Sequence, residues 1–207
     1  MSYSVINHPF ITHKLTILRN KETKHQLARA LVNEITMLMV YEISRDLSLK
    51  EVEIETPMMK ATGFEIDQRV AVVPILRAGL GMVDGITQLF PNAYVSHLGM
   101  YRDPHTFEPH VYYFKAPKEI AQMKVFLVDP LLATGGSIVA AIQQLRQVGV
   151  TDITVVSLIG VKQGIEKILA MDPQVKIFLG ALDEKLNDHA YILPGMGDAG
   201  DRLFGTI

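Results

Sequence analysis

Chemistry in this chain concentrates in three loops. The first reads Asp129-Pro130-Leu131-Leu132-Ala133-Thr134-Gly135-Gly136-Ser137, directly after the apolar run Lys124 to Val128 and directly before a helical pattern. Small residues and paired glycines let the backbone N–H groups of Ala133 to Ser137 turn toward one point. A helix start adds partial positive charge there, so the loop suits a phosphate. Thr134 and Ser137 bring hydroxyl donors, and Asp129 at the strand end suits sugar hydroxyls. The bland alternative is a glycine-rich turn in which Ser137 only caps the helix. A nucleoside-triphosphate P-loop would carry Lys after the glycines, whereas Ser137 follows Gly136.

The second loop, Pro74-Ile75-Leu76-Arg77-Ala78-Gly79-Leu80-Gly81, also runs from strand to helix. Gly79-Leu80-Gly81-Met82-Val83-Asp84 starts like a dinucleotide fingerprint, but Asp84 stands at the third glycine, which leaves that oxidoreductase reading weak. Arg77 fits better as a fixed cation for a phosphate or diphosphate group, against a surface ion pair as its ordinary explanation. Arg102 could supply a second cation, against a solvated residue of the arm as its ordinary explanation. The third loop, Pro194 to Arg202, holds three glycines and two aspartates and reads as irregular backbone. Asp198 and Asp201 could bind hydrated Mg²⁺ or ribose hydroxyls, with Asp198 preferred; Asp201 could instead pair with Arg202 and only hold the loop together.

The elements that must position these loops follow from the apolar pattern. Five runs, Val70 to Leu76, Tyr94 to Met100, Val125 to Val128, Ile153 to Ile159 and Val175 to Leu179, are continuous rather than alternating, as for strands buried on both faces of a parallel sheet. Helical patterns at Gly81 to Phe90, Ser137 to Val148 and Gly164 to Met171 separate them. A long helix is expected between Lys21 and Leu49, capped by Asn20, with Leu27, Leu31, Ile35, Leu38, Met39 and Ile43 on one face. A short strand is expected near Val52 to Ile54. In such α/β sheets ligands sit beyond the carboxyl ends of the strands, where all three loops fall. Tyr101 to Pro117, with three prolines and the cluster Val111 to Phe114, is too long for an ordinary connection and is either a lid or a hairpin packed on the body or a second subunit.

Composition removes other classes. The chain has 207 residues, 48% of them hydrophobic, and a formal net charge of −2 without a basic stripe, which favours neither nucleic-acid nor membrane-surface binding. It contains no cysteine, so no disulfide framework, thiolate nucleophile or Cys-based metal site. Met1 to Asn20 lacks an apolar core, which gives a cytoplasmic expectation. Seven scattered histidines and the lack of a G-x-S-x-G elbow speak against a zinc site and acyl transfer.

Together the motifs resemble a known family. Val125 to Ser137 is similar to the phosphoribosyl-diphosphate (PRPP) signature of type I phosphoribosyltransferases, in the variant with Pro after the Asp. With Tyr191-Ile192-Leu193-Pro194-Gly195-Met196-Gly197-Asp198-Ala199-Gly200-Asp201-Arg202, it resembles the uracil phosphoribosyltransferase branch over essentially the whole chain. The resemblance implies a doubly wound, mainly parallel five-stranded α/β sheet in one domain, 1–207. It adds a protruding hairpin arm at about 101–116 and a base-binding hood at about 183–207. The implied reaction turns uracil and PRPP into UMP and diphosphate with Mg²⁺. Asp129, Pro130, Leu131, Leu132, Ala133, Thr134, Gly135, Gly136 and Ser137 would hold the 5′-phosphate and ribose. Arg77 and Arg102 would neutralise the diphosphate. Asp198 would serve the PRPP or Mg²⁺ side, and Ile192, Gly197, Asp198 and Ala199 would read uracil. Arg77, Asp129 and Asp198 are the expected catalytic residues. Family members are dimers or larger, and activation by GTP varies among them, so a homo-oligomer and a GTP activator join the expected partners. The alternatives are another PRPP-dependent transferase or a PRPP- or nucleotide-binding regulator on the same fold.

Overall fold

The computed structural model describes residues 3–102 and 109–206. In chain order its elements are β1 (Tyr3–Val5), α1 (Pro9–Arg19), α2 (His25–Ile43), β2 (Leu49–Glu55), β3 (Lys60–Ile66), β4 (Val70–Leu76), α3 (Leu80–Thr87), β5 (Tyr94–Val95), β6 (His97–Arg102) and β7 (Pro109–Lys115). There follow β8 (Lys124–Val128), β9 (Leu131–Leu132), α4 (Gly136–Gln147), β10 (Asp152–Val161), α5 (Lys162–Met171), β11 (Lys176–Asp183), β12 (Lys185–Leu186), β13 (Ile192–Leu193) and α6 (Ala199–Phe204).

The main sheet runs β1-β11-β10-β8-β4-β6-β7 and is parallel except for β7. Its five inner positions are the five apolar runs, with Tyr94 to Met100 broken at Ser96 into β5 and β6, both paired to β4. The sheet is wider than five strands because β1 adds a short edge beside β11 and β7 returns antiparallel along β6.

Successive side chains along the strands feed two cores, as the period-two pleat requires. Val70, Val72, Phe126 and Val128 pack with α1, α2, α3 and α6 on one face. Ala71, Val73, Val125 and Leu127 pack with α4 and α5 on the other. The helices after the neighbouring strands β4 and β8 therefore lie on opposite faces, which opens a crevice at the carboxyl ends of these two strands.

Three expectations are corrected. The long helix starts at His25, and Asn20 is the C-cap of α1 instead; its N–H bonds to the Ile17 carbonyl and its side chain accepts from Glu22 N–H. Leu27 faces solvent, off the buried stripe of α2. The strand expected near Val52 is present, as one arm of a β2–β3 hairpin. Finally, the glycine-rich tail is irregular only to Asp198: α6 starts at Ala199, because Asp198 caps it by accepting the Asp201 N–H at 2.9 Å. No described helix is long and apolar enough to cross a membrane.

Candidate active site

The loop after β8 wraps a cup of about 50 Å³ lined by Asp129 and Leu131 to Ile138. Gly135, at φ +76°, is the N-cap of α4, and no side chain bonds to the cap. Ser137 lies inside the helix rather than capping it, so the first N–H groups of α4 face the cup with their dipole unneutralised. Thr134 bends over the same turn, its Oγ1 3.5 Å from Gly136 N.

Asp129 stands at the rim. Burial pushes its carboxyl up to about 7; the Leu131 backbone N–H opposes that rise and the nearby Asp198 carboxylate adds to it. The residue as a whole is half-buried.

The loop after β4 lies beside it. A Cβ on Gly79 would stand 2.6 Å from the Val128 carbonyl, so only glycine lets this turn settle against the end of β8. The Leu76–Arg77 peptide is cis. The Arg77 side chain is mostly exposed, and its Nη2 meets Asp201 Oδ1 at 3.4 Å. Arg77 thus makes a surface ion pair, and its partner belongs to the tail, so the pair ties the loop after β4 to α6. Asp201 does not pair with Arg202; adjacent helical residues point apart. Thr206 Oγ1 donates to Asp201 Oδ1 from the other side. Arg202 donates to the Met196, Asn20 and Thr23 carbonyls.

The tail is fastened by residues that the motifs do not contain. Asp183, at the end of β11, receives both terminal nitrogens of Arg19 at 2.7 Å and the Gly195 N–H at 2.8 Å, while Arg19 also donates to the Gly195 carbonyl. Arg29 donates to the Leu203 carbonyl, and Leu203 is fully buried. The only sequence signal for Arg19 and Asp183 was a charged residue at an element's end. In this frame Ile192 and Ala199 are buried, whereas Gly197 and Asp198 are exposed toward solvent. The arm is the β6–β7 hairpin, with Tyr112 laid over Gly99. Arg102 is the last residue of β6, and the tip 103–108, with Asp103, lies outside the described residues.

The arrangement brings a cup at a helix N-terminus, a strand-end carboxyl, an arginine and an irregular tail near one another. Comparison with known proteins identifies the family. The uracil phosphoribosyltransferase family profile matches residues 5–206. A uracil phosphoribosyltransferase of Enterococcus faecalis is 52% identical over 205 residues, covering 99% of this chain and 98% of the relative. One from Alkaliphilus oremlandii is 54% identical over 204 residues, covering 98% of each. Among solved structures, the AQ2163 protein from Aquifex aeolicus superposes with a TM-score of 0.93 at 36% identity, covering 98% of this chain and 97% of that one. The adenine phosphoribosyl transferase of Trypanosoma brucei, 13% identical with a TM-score of 0.60 over 95% of this chain and 88% of that one, shares the fold. The chain belongs to the uracil phosphoribosyltransferase family.

Proposed function

We propose that this protein transfers the phosphoribosyl group of PRPP to uracil, giving UMP and diphosphate, with residues 1–207 acting as one phosphoribosyltransferase domain. The observation that carries the reading is that Asp129 of the cup lies close enough to Asp198 of the tail to feel its charge, while Arg77 of the loop after β4 meets Asp201 of the same tail.

In this reading Pro130 to Ser137 hold the 5′-phosphate through the α4 N–H groups and the Thr134 and Ser137 hydroxyls. Asp129 accepts from the ribose hydroxyls. Arg77, with Arg102 from the arm, neutralises the departing diphosphate. The sugar carbon gains positive charge as that group leaves, so the residues act by positioning and charge stabilisation without a covalent nucleophile. The chain has no cysteine to suggest one.

Mg²⁺ fits as an ion carried by the diphosphate. Among the described residues no three His, Asp or Glu side chains cluster as a cage, and Mg²⁺ commonly takes one or two carboxylates plus substrate phosphates. Asp198 uses Oδ1 on the Asp201 N–H, which leaves Oδ2 for that purpose. Bound there, the ion supplies charge neutralisation of the leaving group. A cytoplasmic site of action and a homo-oligomer belong to the same proposal. GTP is carried as a candidate activator, to be decided by adding it to the assay below.

Uracil presents acceptor, donor and acceptor across O2, N3–H and O4, and in this reading backbone groups around Ile192, Gly197 and Ala199 answer that order. Cytosine reverses two of these positions. Each buried group left unpaired costs about 1–3 kcal/mol, so cytosine is rejected by roughly two to four powers of ten. The test is UMP formation from uracil and Mg²⁺-PRPP, run beside cytosine and a metal-free control. Comparable turnover of cytosine removes the base assignment; PRPP binding without product turns the reading toward a regulator.

A further inference from the structure

The phosphate cup has no cation of its own, since Asp129 and Leu131 to Ile138 include neither Lys nor Arg. A phosphate monoester carries between one and two negative charges near neutral pH, and here it would sit beside the Asp129 carboxyl. Helix α5 packs directly against the outside of this loop. A Cβ on Gly164 would stand 2.3 Å from the Ala133 carbonyl, and one on Gly135 would stand 2.8 Å from the Gly164 carbonyl. That contact sets the helix tightly on the loop, and Lys167, three residues after Gly164, shares its face.

The position of Lys167 follows. Its Nζ lies 3.9 Å from the point a Cβ on Gly136 would occupy, and Thr134 Oγ1 lies 3.7 Å from that same point. Apart from its two chain neighbours and the local helix backbone, no other described atom comes within 4 Å of it. The missing side chain of Gly136 thus leaves a space flanked by one ammonium and one hydroxyl at the start of α4. Among the described residues Lys167 has no carboxylate partner, whereas its neighbour Lys162 pairs with Glu166 at 3.7 Å.

We propose that Lys167 is the cation of the 5′-phosphate subsite, supplied by α5 rather than by the phosphate loop. The inference rests on the loop being a phosphate site, as read above. It separates the two anionic ends of PRPP: Lys167 serves the 5′-phosphate and Arg77 the diphosphate.

Calorimetric titration of ribose 5-phosphate, UMP and diphosphate into the full-length protein tests this, because the first two carry only the 5′-phosphate. In Lys167→Gln the affinities for ribose 5-phosphate and UMP fall about tenfold, the equivalent of one charge-assisted contact at a partly exposed position. Diphosphate affinity is unchanged, and Lys167→Arg restores the loss. Lys167 is exposed, so the thermal midpoint of each variant should match the parent. Equal affinities of Lys167→Gln and the parent for ribose 5-phosphate and UMP overturn the assignment, as does an equal loss for diphosphate. If the parent itself binds neither 5′-phosphate ligand, the phosphate-loop reading falls and takes this inference with it.

Discussion

Asp129 illustrates how one residue can serve the site at the expense of the fold. Its carboxyl is pushed up to about 7, mainly by burial, from an ordinary value near 4. The folded chain therefore binds an extra proton between about pH 4 and 7. Stability from this group is greatest at the acid end, and it is lost as pH rises toward 7, beyond which the ionised, desolvated carboxylate is a constant burden. Asp129→Asn removes that burden while weakening the contact to the ribose hydroxyls. We expect its melting temperature to exceed the parent's at pH 8 and to match it near pH 4.5, measured without ligand. kcat/KM should fall roughly 10- to 150-fold at pH 8, the value of a charge-assisted hydrogen bond. A stability gain that is the same at both pH values would remove titration as its cause. Asp129, Arg77 and Asp198 were each legible from residue type and position after a strand. Their partners were not. The pairing of Arg77 with Asp201 depends on how α6 turns at Asp198, and the clamp of Arg19 on Asp183 joins residues 164 apart in sequence.

At the scale of elements, the phosphate loop is shaped as much by the helix behind it as by its own residues. Gly164 and Gly136 separate these contributions. Ala at 164 forces a Cβ into the Ala133 carbonyl, an overpacking that costs about 1–3 kcal/mol and lowers Tm by several degrees. Ala at 136 meets nothing closer than 3.7 Å and joins a helix start, so stability holds or improves slightly. Its methyl instead occupies the phosphate space, and KM for PRPP should rise about tenfold or more with little change in Tm. Circular dichroism melts and steady-state kinetics on the two variants read the contrast, and a Gly136→Ala enzyme with unchanged KM would place the phosphate elsewhere. The central strands and α3, α4 and α5 were readable because a doubly covered parallel sheet demands long apolar runs and one-sided helices. Elements set by tertiary contact were not. In α1, Pro9 opens the helix and His8 caps it, a signal masked by the polar residues between its buried Ile11, Leu15 and Leu18. In β3, Gly63 and an exposed pattern conceal a strand that exists only through pairing with β2. In α6, glycine content argued against a helix that one aspartate cap is enough to start.

For the whole molecule, the opposed helix layers explain where the site lies, and the β2–β3 hairpin bears on how the molecule associates. This ribbon is paired to itself and exposes Leu49, Ile54, Met58, Met59, Phe64 and Ile66, with Met58 at its tip 90% exposed. Two strands alone are at best marginal in water, and by the pleat Leu49, Phe64 and Ile66 share one face while Ile54 lies on the other, so the ribbon offers apolar residues to an interface on both faces. Within the hairpin Lys60 pairs with Glu53 at 2.7 Å and Lys50 with Glu65 at 3.7 Å, which leaves Glu51 and Glu55 over. A self-paired ribbon with its apolar residues outward suits a second copy of the same chain. The homo-oligomer proposed above would then be held through this ribbon. The double variant Met58→Glu/Phe64→Glu should sediment as a monomer at concentrations where the parent associates. Its far-ultraviolet dichroism should be retained, because neither side chain contributes to the two cores. If that variant associates as the parent does, the aromatic arm of β6 and β7, with Tyr101, Tyr112 and Tyr113 exposed, becomes the contact to test. The same experiment addresses the arm's role, since an arm that is not a subunit contact is free to close over PRPP. Turnover measured on the monomeric variant then reports whether one chain carries a complete site.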